Sequence, residues 1–163
     1  MPEAEVIGQV GEELDFRRAQ ERDFAAVRGL AEALAAHIEA PRPPLTLERY
    51  LAFYVRDHAP MHLVLALREN RVVGMIAWVL THELYSARAC VYISDIAVDV
   101  GMRGQGIGKA LMAQAKAWGR AHGAEKLAWD VWDRNTTAMG FYQRLGAAVD
   151  SEAVAHVLKL SDR

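Results

Sequence analysis

The stretch SDIAVDVGMRGQGIGKALM, residues 94–112, decides how this chain folds. It opens in the β-branched run CVYISDIAVDV, residues 90–100, which predicts a strand. It closes on Ile107, Leu111 and Met112, continued by Ala115 and Trp118 at helical spacing. Between the two stand Gly104, Gly106 and Gly108, so the order is strand, glycine turn, helix. A turn with no side chains at a helix start brings backbone N–H groups close to an anion, where the positive helix end helps to solvate it. Two phosphate motifs are excluded. The dinucleotide fingerprint G-x-G-x-x-G fails because Lys109 or Leu111 stands where its last glycine belongs. The nucleotide P-loop fails because Arg103 replaces its first glycine and Ala110 its hydroxyl residue. On the hexapeptide RGQGIG alone, a glycine turn with no ligand remains the alternative.

Outward from this core, DFRRA predicts a short strand, and Ala25, Val27, Leu30, Leu34 and Ile38 predict a helix over 21–39. APRPP breaks it, and Thr46 caps a second helix carrying Leu47, Tyr50, Leu51 and Tyr54. MHLVLALRENRVVGMIAWVL reads as a hairpin turning at Asn70. After the glycine helix, KLAWDVW predicts a strand, Thr136 to Leu145 a short helix, and AAVD and AVAHVLKL two final strands. The order is β α α β β β α β α β β, a mixed sheet with helices on its faces in one α/β domain over 14–163. Residues 1–13 are acidic, contain Gly8 and Gly11, and are expected as a flexible tail.

With 163 residues and 52% hydrophobic content, the chain suits one domain with a sizeable core. A formal charge of −2 provides no general field for nucleic acid or acidic membranes. Cys90 is the single cysteine, so no disulfide framework or zinc cluster is expected, and a reducing cytoplasm fits. The N-terminal sequence lacks the pattern of a secretory signal, and MIAWVL is too short to span a bilayer. The histidines show no metal-ligand spacing, so no metal is expected. Trp78, Trp118, Trp129 and Trp132 read most simply as core residues.

R-x-x-G-x-G at 103–108 resembles the coenzyme loop of the GNAT N-acetyltransferases. Two further segments strengthen the resemblance: the D-x-x-V strand at Asp95 to Val98, and N-x-x-A-x-x-F-Y-x-x-x-G from Asn135 to Gly146. It runs from about Phe16 to Leu160 and is closest to the diamine (spermidine/spermine) and thialysine branch, which shares the Y-x-x-D strand at Tyr92 to Asp95. The resemblance implies an α/β (α+β) fold with a mostly antiparallel sheet of six to seven strands. It implies acetyl transfer from acetyl-CoA directly to a primary amine of a small molecule, such as a polyamine or an amino acid. A protein or peptide acceptor, or a non-catalytic acyl-CoA-binding domain, is the alternative. It also implies a homodimer, with the tail strand AVAHVLKL apolar enough to exchange.

The resemblance assigns the residues as follows. Backbone N–H groups around Ile96, Ala97 and Val98 hold the thioester and pantetheine arm. Arg103, Gly104, Gln105, Gly106, Ile107, Gly108 and Lys109 cradle the diphosphate. Asn135 and Ala138 lie along the pantetheine, and Tyr142 donates a proton to the leaving sulfur. Direct attack needs a neutral amine, and at pH 7 only roughly one lysine-type amine in 2,500 is neutral, a deficit of about 4.6 kcal/mol. The diamine enzymes carry Glu just before the strand's Asp, where this chain has Ser94. Asp95 therefore remains as base, as acceptor anchor or as a structural carboxylate tied to backbone N–H groups, with Glu83, Glu39 or His82 as groups acting through water, and Glu39, Glu83, Ser94 and Asp95 are expected to shape the acceptor pocket.

Overall fold

The computed structural model describes residues 6–9 and 14–160. They fall into two compact units, 1–130 and 131–163. The first contains one six-stranded sheet in simple sequence order. Its strands are β1 (Val6–Gln9), β2 (Asp15–Arg18), β3 (His62–Arg68), β4 (Arg71–Glu83), β5 (Arg88–Val98) and β6 (Ala124–Ala128). Every neighbouring pair is antiparallel except β5 and β6, which run parallel. That parallel pair is joined by helix α3 (Ile107–Ala121), as a crossover connection requires. β1 lies within the segment expected as a tail, and the rest of 1–13 lies outside the described residues.

Helices cover both faces of the sheet, and strand alternation shows how. Leu63, Leu65 and Leu67 of β3, with Met75 and Ala77 of β4, share one cluster with Val27 and Leu30 of α1 (Phe24–His37) and Tyr50 of α2 (Leu47–Tyr50). The opposite face carries Gly74, Ile76 and Trp78 beneath α3. A Cβ on Gly74 would stand 3.1 Å from both Ile107 Cγ2 and Leu111 Cδ1, so glycine here lets the first turn of α3 pack close to β4. Ile107 and Leu111 are fully buried there, each contributing about 2–3 kcal/mol of hydrophobic stabilisation. This packing aims the start of α3 at the end of β5.

The hairpin β3–β4 turns through Glu69 and Asn70, whose φ values of 50° and 62° give the two-residue turn that matches strand twist. α2 begins where Thr46 accepts a 3.2 Å hydrogen bond from Arg49 N, and continues as a π-helical turn over Leu51–Val55. Beneath it Arg17 grips Asp23 in a two-pronged pair at 2.7 and 2.8 Å, and Asp23 also accepts from Gln20 N.

In the second unit the described structure is α4 (Thr136–Arg144) and irregular chain. Here two expectations are corrected. AAVD and AVAHVLKL form no strand. Val149, Val154, Val157, Leu158 and Leu160 are all exposed, and strand propensity without a partner to pair with does not make a strand. The strand expected over KLAWDVW also stops early, at Ala128, and Trp132 is 37% exposed rather than core.

Candidate active site

The site is built from a fault in the ladder between β4 and β5. Ala77 pairs with Asp95, yet the next residue, Trp78, pairs with Ile93. Ser94 is therefore an extra residue, a β-bulge. Alternation would hide one of two successive side chains, but here Ser94 and Asp95 are both exposed. The bulge bends β5 just where its other neighbour leaves it. The β5–β6 ladder ends at the pair Tyr92↔Ala128, so no strand among the described residues pairs with Ile93–Val98 on the side away from β4.

Which backbone groups that open edge presents follows from one hydrogen bond. Asp99 N donates to Val73 O at 2.9 Å, so Asp99 faces β4. Successive residues of a strand alternate in hydrogen-bonding direction. Val98 and Ile96 therefore turn their N–H and C=O groups to the open edge. Arg103 confirms the direction: its Nε donates to Val98 O at 3.3 Å.

Arg103 also links the strand to the loop. Gly104 and Gly106 adopt φ values of 75° and 81°, a left-handed backbone that favours glycine. A Cβ built on either meets nothing within 4 Å, so each glycine faces open space. Gly106 is the N-cap of α3, and the helical ladder begins with Ala110 N donating to Gly106 O at 3.0 Å. The N–H groups of Ile107, Gly108 and Lys109 precede that ladder and lack intrahelical acceptors. With the helix dipole behind them, they suit a diphosphate. The residues present thus fit coenzyme A: helix-start N–H groups without intrahelical acceptors beside glycines in open space, next to a strand edge that no strand among the described residues pairs with.

On the face of the sheet shared with α2, Asp95 lies on the same side as Tyr92, across the bulge. Tyr92 Oη donates to Asp130 Oδ2 at 2.6 Å. That bond, with burial and the charges of Asp130 and Asp95, pushes the Tyr92 phenol up to about 12. Tyr54, in the π-helical turn, is also raised, by burial and by the Asp95 charge. Tyr54, Tyr92 and Asp130 thus join Asp95 at the fork. Sequence reading missed these three as site residues, because only the end of the β5–β6 ladder and the π-turn bring them there.

Not every expected residue arrives. Glu83 is committed to the β4–β5 turn, accepting from Ser86 Oγ at 2.9 Å and Lys126 Nζ at 3.3 Å. It pairs opposite Arg88, seven residues along β5 from Asp95, about 23 Å at strand rise. Glu39 is exposed just past the end of α1, with φ 55°. Cys90 is buried, and burial raises its thiol, which suits a core residue rather than a nucleophile.

The remaining expected residues lie in the second unit. Asn135 Oδ1 accepts from Ala138 N at 3.1 Å and so caps α4. Tyr142 is half-buried on that helix, its ring 5.1 Å from Phe141, and burial raises its phenol. Among the described residues no group of three or more metal-ligating side chains occurs, and no helix is long and apolar enough to cross a membrane.

Comparison with known proteins gives the following likenesses. The family model described as Acetyltransferase (GNAT) family matches residues 28–147. The aminoalkylphosphonate N-acetyltransferase of Salmonella typhimurium is 37% identical over 86 residues, 53% of this chain. The match spans 56% of that relative, so about half its length is covered. An aminoglycoside acetyltransferase from an uncultured soil metagenomic sample, solved with sisomicin, superposes with a TM-score of 0.76 at 22% identity, over 94% of this chain and 100% of that one. A Trypanosoma brucei acetyltransferase gives 0.70 at 24% identity, over 90% and 100%. At these identities the two structures show the shared fold.

Proposed function

The chain belongs to the GNAT family of acetyltransferases, and from that premise we propose that it moves acetyl from acetyl-CoA to a primary amine of a small molecule. One observation carries the reading: the glycine turn that starts α3 leaves the N–H groups of Ile107, Gly108 and Lys109 without intrahelical acceptors and is tied by Arg103 to the open edge of β5. Acetyl-CoA supplies a thioester whose carbonyl carbon accepts the amine. The N–H groups of Gly104 to Lys109 hold the diphosphate. Ile96 and Val98 N–H groups bind the pantetheine and polarise the thioester carbonyl. Asp95 takes one ammonium proton, directly or through one water, before the neutral amine forms the C–N bond, and the second nitrogen proton leaves to water as the tetrahedral intermediate collapses. Tyr142 gives its proton to the sulfur as the C–S bond breaks, and Asn135 and Ala138 flank the pantetheine. The acceptor is an amine: the curated relative is named for N-acetylation of an aminoalkylphosphonate, and one structural neighbour for aminoglycosides. Asp95 and Asp130, with the phenols of Tyr54 and Tyr92, favour a cationic amine over an anionic one.

The test is release of free CoA thiol from acetyl-CoA against spermidine, an aminoglycoside, thialysine, an aminoalkylphosphonate and a short peptide. Release with a cationic small amine supports the reading. Release only with the phosphonate overturns the preference for a cation. Release only with the peptide overturns the small-molecule acceptor, and tight acetyl-CoA binding with no release from any amine overturns catalysis.

A further inference from the structure

We propose that the β3–β4 hairpin sets the shape of the coenzyme loop, through Arg68 and Arg71 acting as positioning residues. This rests on the donor-site reading above. The hairpin reaches the segment Asp99 to Gln105 at both of its ends. At the first, Arg71 Nη2 donates to Asp99 Oδ2 at 3.0 Å, while Asp99 Oδ1 accepts from Gly101 N at 3.0 Å. Asp99 is further fixed to β4 by its N–H on Val73 O, and its carbonyl accepts from Met102 N at 2.8 Å. At the second, Arg68 Nη1 donates to Gln105 Oε1, across 37 positions of sequence.

The second contact matters more, because of what flanks it. Gln105 stands between Gly104 and Gly106, both in the left-handed region and both with open space around them. Two glycines in succession around one residue are the easiest place for this loop to rotate. The Gln105 amide is the only side-chain handle on that turn, and Arg68 holds it. A tethered loop loses less conformational freedom when the diphosphate binds, so the tether raises affinity without touching the ligand. The planar guanidinium suits such a tether, since its donors lie in a fixed fork.

The experiment is calorimetric titration of acetyl-CoA into the full chain and into Arg68→Met, Arg68→Lys, Arg71→Met, and Arg68→Met made in a Gln105→Ala background, each with its unfolding midpoint recorded. Arg68→Met and Arg68→Lys both weaken binding by about three- to tenfold, the effect of one exposed charge-assisted hydrogen bond. Arg71→Met weakens it less, because Asp99 keeps its hydrogen bonds with Gly101 N, Val73 O and Met102 N. In the Gln105→Ala background the Arg68→Met change falls below about twofold. In kinetics, the loss appears in KM for acetyl-CoA rather than in kcat. Wild-type affinity in Arg68→Lys together with a loss in Arg68→Met overturns the proposal, since bulk positive charge then explains the effect. An undiminished loss in the Gln105→Ala background, or unchanged affinity in every variant, overturns it as well. A wild-type chain that binds no acetyl-CoA overturns the donor-site reading itself, and the inference with it.

Discussion

Gly106→Ala separates the cost of a strained backbone from the cost of a filled ligand site. Gly106 has φ 81° and ψ 0°, and a Cβ there touches nothing within 4 Å. The folded protein therefore has no clash to relieve. What remains is the penalty for an L-residue in the left-handed region, roughly 1–2 kcal/mol. For a chain of this size that lowers the unfolding midpoint by about 2–8 °C. If the open space belongs to a diphosphate, the new methyl stands in its contact shell. Affinity for acetyl-CoA then falls at least about tenfold, or 1.4 kcal/mol. The chain holds its own control. Gly123, just past the other end of α3, has φ 75° and equally open surroundings. Gly123→Ala carries the same backbone strain with no ligand nearby. Scanning calorimetry measures the first quantity and titration of acetyl-CoA the second. The account requires similar midpoint shifts in both variants and lost affinity only in Gly106→Ala. Equal affinities in the two variants refute the cradle.

Three further outcomes are expected, the first from the proposed acid role of Tyr142 and the others from packing. Tyr142→Phe lowers kcat by about 10²-fold or more with little change in KM for acetyl-CoA, measured by steady-state thiol release. Because burial raises the Tyr142 phenol above its ordinary value of about 10, no alkaline limb dependent on Tyr142 appears below that pH. Asp23→Ala leaves the Arg17 guanidinium, 11% exposed, without its partner and costs about 3–5 kcal/mol, read as a midpoint drop of roughly 6–20 °C. Burial pushes Asp23 up, but hydrogen bonds from Arg17 and Gln20 outweigh it and hold the carboxyl below its ordinary range. Its stabilisation is thus complete above the unfolded value of about 3.9 and fades as pH falls through the folded one, so wild type and variant converge in acid. Gly119→Ala places a Cβ 2.9 Å from Val91 Cγ2 where α3 crosses β5, costing about 1–3 kcal/mol in urea unfolding; adding Val91→Ala costs less than the two single changes summed.

How much of this was legible beforehand depended on whether the signal was local. The strand, glycine turn and helix of residues 94–112 were readable because hydrophobic period and backbone freedom are written in neighbouring residues. The Asn70 turn was readable for the same reason. Ser94 as the extra residue of a bulge was not readable, since a bulge is a mismatch between two strands and neither strand shows it alone. Asp130 looked like strand interior until β6 ended two residues before it. Glu83 looked available until Ser86 and Lys126 were seen to hold it. The tail strands failed for the converse reason: Val157 and Leu158 have the composition of a strand, yet they are exposed and no strand among the described residues pairs with them.

The most direct test of the central claim is an amide-resolved NMR titration of the 18.1 kDa chain with acetyl-CoA. The account predicts saturable shifts concentrated at the N–H groups of Gly104 to Lys109 and at Ile96 and Val98. Saturable binding that leaves those amides unmoved, while others shift, contradicts it.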